Sequence, residues 1–324
     1  MAIPTGDTIG ILSDNLRLRQ SVMPIPKKRA TGWAKKLNLP RGGPTVIYTG
    51  QMYQLIPYIE TMVAAQERLA SSPLAGMTGL GRRMNRFVNI MRFMARPAAS
   101  TAAEYDRVLT DIALLLQTAG VDFGYLYEDD LYSGALAHDL GLDAVVALHA
   151  RRVLEAFKRH GVRSVITVDP HTTNMLRTVY PSLVDGFTVE VKSYLEVLTT
   201  KSLQIRRDQT KDLVIHDSCV LARYEGVVEE PRQLLRAAGV TLNEPENTGR
   251  LTWCCGGPVE SLYPEKALAN AQRRVDQLRK AGPEGVTMCP LCLANLRRGA
   301  AGTMQFQDIS RYLADAYVSQ TEVS

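Results

Sequence analysis

The chain has 324 residues, 45% of them apolar and 22% charged, with 38 Lys and Arg against 33 Asp and Glu for a net charge of +5. That much apolar material suffices for two buried cores, and a small, scattered basic excess with no nucleic-acid-binding motif argues against a DNA or RNA partner. The start Met1-Ala2-Ile3-Pro4-Thr5-Gly6-Asp7 lacks the basic and apolar regions of a signal peptide, and no apolar run reaches the ~18 residues of a membrane span, so a cytoplasmic protein without a transmembrane segment is expected.

Residues 1–44, with Pro24, Pro26, Pro40 and the run Lys27-Lys28-Arg29, read as an extended N-terminal arm. A first lobe over 45–185 opens with the strand Val46-Ile47-Tyr48 running into Thr49-Gly50-Gln51. An insertion at 65–117 carries Leu80, Met84, Phe87, Met91 and Met94 at helical spacing, with Arg82, Arg83, Arg86 and Arg96 mostly elsewhere on the wheel. Such a Met-rich stripe suits partner docking, a membrane surface or an ordinary core face. The lobe continues through Asp130-Leu131-Tyr132-Ser133-Gly134, an amphipathic helix near 137–160, and the strand Val165-Ile166-Thr167-Val168 leading to Asp169-Pro170-His171-Thr172.

After a linker at 186–210, a second lobe over 211–324 repeats the plan. Leu213-Val214-Ile215 runs into His216-Asp217-Ser218-Cys219, Trp253-Cys254-Cys255-Gly256-Gly257 precedes a helix near 264–281, and Gly285-Val286-Thr287-Met288 leads to Cys289-Pro290-Leu291-Cys292. Each half reads as three strand-loop-helix units, which predicts an α/β protein of two similar pseudo-repeat lobes, each with a small, mainly parallel sheet flanked by helices. Right-handed crossovers then bring the loops after successive strands to one edge of the sheet.

The protein's five cysteines all fall in those loops of the second half, separated by 34 and 33 residues on either side of the vicinal pair. Cys219, Cys254, Cys255, Cys289 and Cys292 form a set of soft donors suited to iron–sulfur, zinc or copper(I). Adjacent side chains of an extended segment point apart, so Cys254 and Cys255 suit two metal atoms better than one. Zinc held by four of the five thiols, one left over, is the competing reading. On the repeat, Gln51, Leu131, Tyr132, Asp169 and Thr172 take the thiol positions in the first half.

The pattern Cys219…Cys254-Cys255-Gly256-Gly257…Cys289-Pro290-Leu291-Cys292 resembles the CCG (cysteine-rich) domain in the B-type subunit of heterodisulfide reductase, over residues 45–310 and with the first motif degenerate. The resemblance implies that the five cysteines bind one noncubane [4Fe-4S] cluster. It also implies an oxidoreductase subunit that exchanges electrons with a thiol, disulfide or persulfide substrate. Its partners would be a ferredoxin-like iron–sulfur subunit and a flavoprotein subunit of the same complex. A zinc-stabilised scaffold without redox role, and an iron–sulfur subunit of a 2-hydroxy-acid oxidase, are the alternatives.

Around the vacated first site cluster Tyr53, Tyr125, Tyr127, Glu128, Asp129, Asp130, Tyr132, Asp169 and His171. They read either as a substrate pocket or a hard-metal site of carboxylates and an imidazole, or as polar filling that pairs within itself. His171 is the one most worth following. His216, Arg223, Arg297 and Arg298 are candidate cations beside the thiols, and Trp253 a candidate shield. His138, His149 and His160 recur every eleven residues without partner ligands and receive no role.

Overall fold

The computed structural model describes residues 5–23, 25–70 and 96–319, the side chains of 66–70 excepted. The Met-rich stripe from Leu80 to Met94 lies outside the described residues. Two four-stranded, all-parallel sheets form the two lobes. The first orders its strands β2-β1-β3-β4, with β1 Thr45–Tyr48, β2 Gly124–Tyr125, β3 Ser164–Thr167 and β4 Glu190–Ser193. The second repeats that order as β6-β5-β7-β8, with β5 Asp212–His216, β6 Thr241–Asn243, β7 Glu284–Thr287 and β8 Gln305–Asp308.

The central strands β1, β3, β5 and β7 are buried after their first residue, as helices on both faces of a parallel sheet require. The expectation of three strands per half fell one short. Strands β4 and β8 sit at sheet edges and read Glu-Val-Lys-Ser and Gln-Phe-Gln-Asp, alternating between solvent and core. Such short polar stretches do not announce themselves as strands. The stretch 186–210 therefore contributes β4 and the following helix to the first sheet as well as connecting the halves.

The principal helices are α1 Thr5–Arg19, α2 Met52–Ala70, α3 Ala99–Thr118, α4 Asp143–Arg159, α5 Pro170–Asn174, α6 Tyr194–Thr199, α7 Cys219–Arg223, α8 Glu229–Ala237, α9 Pro264–Ala281, α10 Pro290–Ala300 and α11 Ile309–Tyr317. The N-terminal segment, expected to be extended, holds α1, which packs on α4 and buries Leu16 and Asn15. Asn15 Nδ2 donates to the Val22 carbonyl at 3.0 Å and so ties the end of α1 to the turn behind it.

The halves meet through equivalent elements. Helix α2, which follows β1, packs on α10, which follows β7; helix α5, after β3, packs on α7, after β5. That reciprocal pairing is what a pseudo-two-fold relation between the repeats produces. It sets the strand-end loops of the two lobes against one another. Tyr53 Oη donates to Asp308 Oδ2 at 2.6 Å across this buried seam, and α3 from the insertion packs on α11, where Arg311 pairs with Asp111.

Candidate metal centre between the lobes

Strand β5 ends at His216, and Cys219 opens α7 with Ser218 as its N-cap. Strand β7 ends at Thr287; Cys289 is the N-cap of α10, with Pro290 opening the helix and Cys292 in its first turn. Cys254 and Cys255 lie in the loop between β6 and α9, after the short turn Gly249–Leu251. Gly256 then takes a left-handed conformation, φ 85°, and a Cβ there would lie 2.8 Å from the Ala267 carbonyl oxygen of α9. Gly256 thus lets the vicinal pair sit directly on a helix backbone.

The first lobe uses the same device. Gly134 has φ 85° at the head of its own short helix, Ala135–Asp139. Superposing those two turns shifts the repeat by one residue, so Tyr132 and Ser133, not Leu131 and Tyr132, stand at the positions of the vicinal thiols. The other correspondences keep their register, because Tyr48 pairs with Thr167 as His216 pairs with Thr287.

The thiols gather into an arc. Cys219 and Cys254 Sγ are 4.0 Å apart and Cys255 and Cys292 Sγ are 3.3 Å apart. Cys254 also interacts electrostatically with Cys255, and Cys289 with Cys292, which gives the order 219-254-255-292-289. Cys255, Cys289 and Cys292 are buried, while Cys219 and Cys254 are half-exposed. No three of the five sulfurs lie within 4.8 Å of one another; the single such group among the described residues is His216, Cys255 and Cys292. Bonds of ~2.3 Å to one tetrahedral zinc would draw four sulfurs to within about 4 Å of each other. The donor set therefore fits a multi-atom centre better than a single ion.

Among themselves the thiols share protons unevenly. Bonds from Cys219 and Cys255, with the Gly256 N–H at 3.3 Å, hold the Cys254 thiol low, while Cys219 is pushed up by that same contact. Burial opposes a charge on Cys289, yet bonds from Cys292 and His171 outweigh it and pull the thiol down. Cys254 and Cys289, at separate points of the arc, are the first to carry thiolate.

The first lobe reaches into this site. His171, at the head of α5, places Nδ1 3.8 Å from Cys289 Sγ, and its Nε2 lies 3.9 Å from Asp139 Oδ2. Burial works against an imidazolium there, but the bond to Cys289 and the charges of Cys289, Asp139 and Asp169 lift its pKa to about 9. Most of the other polar groups of that cluster have partners, many of them outside it, although Asp169 Oδ2, Thr172 Oγ1 and Ser133 Oγ are buried without one among the described residues. Asp169 Oδ1 caps α5, accepting from His171 N at 2.9 Å and Thr172 N at 3.0 Å. Asp130 accepts from Tyr125 Oη at 2.9 Å and from Thr49. Tyr132 Oη accepts from Leu136 N at 2.7 Å, and Tyr127 Oη donates to the Leu39 carbonyl at 2.7 Å. Glu128 pairs with Arg41 and Asp129 with His160 at the surface. A Cβ on Gly50 would strike Thr172 and Ser133, so these three positions pack closely against one another.

The candidate cations behave differently from expectation. His216 is fully buried, and burial together with the adjacent Arg274 lowers its pKa to about 3, so it is neutral. Arg223 donates to the carbonyls of Arg250 and Thr252, pinning the Cys254 loop to α7. Arg297 and Arg298 pair with Glu104 and Glu260, both at 2.6 Å. Trp253 is half-exposed, and Tyr224, Leu251, Val259 and Tyr263, on the chain segments that follow Cys219 and flank the Cys254-Cys255 pair, are exposed as well. Of the three recurring histidines, His138 pairs with Asp143, His149 bonds the Tyr132 carbonyl at 2.6 Å, and His160 pairs with Asp129.

Sequence reasoning missed Arg274 and the Asp217–Arg232 pair. Arg274 is wholly buried on α9, where Ala267, Ala271, Arg274 and Leu278 share the inward face. An arginine in an otherwise apolar stripe was the available signal. Asp217 receives both guanidinium nitrogens of Arg232, at 2.8 and 2.9 Å, and the Gly249 N–H at 2.6 Å.

Residues 213–297 match the CCG cysteine-rich domain model, which covers the five thiols and leaves out the first lobe. The chain is 34% identical over 216 residues to the EtfAB:quinone oxidoreductase of Syntrophomonas wolfei, covering 62% of this chain and 30% of that protein. It is 29% identical to the probable iron-sulfur-binding oxidoreductase FadF of Bacillus subtilis, covering 64% and 30%. With a subunit of the dihydromethanophenazine:CoB–CoM heterodisulfide reductase of Methanosarcina mazei it shares 27% identity, covering 65% and 55%. The chain thus spans about a third to a half of the length of these relatives. Residues 213–297 thus match a cysteine-rich CCG domain, in a chain similar to a heterodisulfide reductase subunit and to iron–sulfur oxidoreductases.

Proposed function

We propose that this chain is the iron–sulfur subunit of a heterodisulfide-reductase-like redox complex, in which Cys219, Cys254, Cys255, Cys289 and Cys292 hold one noncubane [4Fe-4S] cluster. The carrying observation is the arc of five sulfurs with no three within 4.8 Å of each other, which favours several iron atoms over one zinc. Such a cluster, when bound, supplies one-electron transfer at a potential set by its surroundings. The polypeptide holds the buried arm of the arc, Cys255, Cys289 and Cys292, away from water, and leaves the Cys219–Cys254 edge partly open. A thiol, disulfide or persulfide substrate would approach that edge, in the reducing cytoplasm where free thiols persist.

The exposed apolar residues Tyr224, Leu251, Trp253, Val259 and Tyr263, near Cys219 and the Cys254-Cys255 pair in the chain, would suit docking of a ferredoxin-like subunit, itself served by a flavoprotein. Among the described residues no helix is long and apolar enough to cross a membrane. A second reading, a relay between an EtfAB-type protein and quinone, is favoured by the 34% identity to the Syntrophomonas oxidoreductase. Anaerobic purification tests the proposal. Iron and acid-labile sulfide with an EPR signal, altered in Cys255→Ser, support it; a colourless protein with one equivalent of zinc refutes it.

A further inference from the structure

Arg274 is the largest fully buried side chain among the described residues, at 0% exposure, and no carboxylate among them lies within 4.0 Å of its guanidinium. Its acceptors are neutral groups: His216 Nδ1 at 3.1 Å, the Glu246 carbonyl at 2.9 Å, Gln277 Oε1 at 2.9 Å and Thr252 Oγ1 at 3.4 Å. Asp217, the near carboxylate, is already engaged by Arg232 on both oxygens. A buried cation without an anionic partner is costly, and folds retain one where an anion comes to meet it.

The bond to His216 has a further consequence. Arginine has only donors, so Nδ1 of His216 must accept, and the neutral ring carries its proton on Nε2. That Nε2 is buried and has no partner among the described residues. The ring presents a nitrogen within 4.8 Å of both Cys255 and Cys292 Sγ. With Nδ1 committed to Arg274 and Nε2 protonated, the imidazole has no lone pair free for a metal, although it stands among metal-binding thiols.

We propose that Arg274 locks His216 as an Nε2–H donor to the sulfur of the bound centre beside Cys255 and Cys292, making the pair a fixed positive pole that tunes its redox potential. Arg274 is the positioning residue, and His216 is a hydrogen-bond donor to the centre and not a ligand. The inference rests on the iron–sulfur reading above. A donor stabilises the more negative, reduced state of the sulfur it meets, so the pair raises the midpoint potential. The first lobe has no such pair: Tyr48 stands where His216 does and gives its hydroxyl to the Leu131 carbonyl at 2.7 Å.

The test uses the anaerobically purified full chain. Proton electron–nuclear double resonance on the reduced wild type, in H2O and in D2O, should show an exchangeable coupling that His216→Leu abolishes and His216→Gln, which keeps an N–H, largely restores. EPR-monitored titration should find the reduction equilibrium about tenfold less favourable in His216→Leu and in Arg274→Met, equivalent to 59 mV for a one-electron couple, with Arg274→Lys nearer wild type. No exchangeable coupling in the iron-loaded wild type overturns the inference, as does strong imidazole nitrogen coupling typical of a directly bound ligand. If the leucine variant takes up no iron, the wild-type spectra still decide. A wild type without iron and sulfide would sink the iron–sulfur reading itself.

Discussion

Replacing Arg232 by methionine probes how the site loops are held. Arg232 is 4% exposed and bridges Asp217 at 2.8 Å to Glu244 at 2.8 Å, with further bonds to Thr248 Oγ1 at 2.9 Å and the Val228 carbonyl at 2.6 Å. Asp217 lies two residues before Cys219, and its backbone carbonyl accepts from Thr252 Oγ1 at 3.1 Å, two residues before Cys254. The network therefore ties two cysteine loops together. Methionine fills the stem volume but leaves a buried carboxylate without its cation, a loss of about 3–5 kcal/mol. Urea denaturation of the metal-free protein at pH 7, followed by far-UV circular dichroism, should show it. Burial alone would raise the Asp217 carboxyl, and Arg232 reverses that, holding it below the ordinary range. In the variant the folded pKa moves above the unfolded one, so the loss deepens as pH rises from 5 to 8. Adding Asp217→Asn should recover about 2 kcal/mol by removing the stranded charge. A loss under about 1 kcal/mol, equal at both pH values and unrelieved by the second change, would show that the pair does not secure these loops.

Tyr53→Phe removes the donor to Asp308 Oδ2 across the seam and should cost about 1.5–3 kcal/mol; because burial lifts Asp308 to about 6, the cost should be larger at pH 8 than at pH 5, as paired denaturation curves would show. Gly256→Ala combines a left-handed backbone with a Cβ 2.8 Å from the Ala267 oxygen, so thermal stability should fall by about 1–3 kcal/mol, with iron uptake per chain reduced; an unchanged melting curve would disprove the role given to that glycine. Burial lowers His149 to about 4 from 6.5, so the unfolded chain holds more protons between those values and stability is lost as pH falls through that window. The integrated effect is about 3 kcal/mol, and His149→Gln should flatten that part of the pH–stability profile.

The α/β alternation, the two-fold repetition and the five-thiol set were legible because they are written in local pattern: Val46-Ile47-Tyr48 and Leu213-Val214-Ile215 are short apolar strands, and the cysteines use every thiol in the chain. Edge strands β4 and β8 escaped because half their residues face water, and the one-residue offset of Ser133 against Cys255 became visible only through the shared turns at Gly134 and Gly256. Charge was the least legible property. His216 reads as a candidate cation in sequence and is neutral in the fold, because protonation depends on burial and on Arg274, fifty-eight residues away. His171 stands out in sequence only as a member of its own lobe's polar cluster, yet the pseudo-two-fold docking of α5 on α7 carries it to Cys289 in the other. Residue types and their spacing follow from covalent order, so the sequence by itself determined which atoms are offered as donors. Which proton, cation or neighbouring lobe meets them is a matter of through-space distance and desolvation, and those exist only once both sheets are packed.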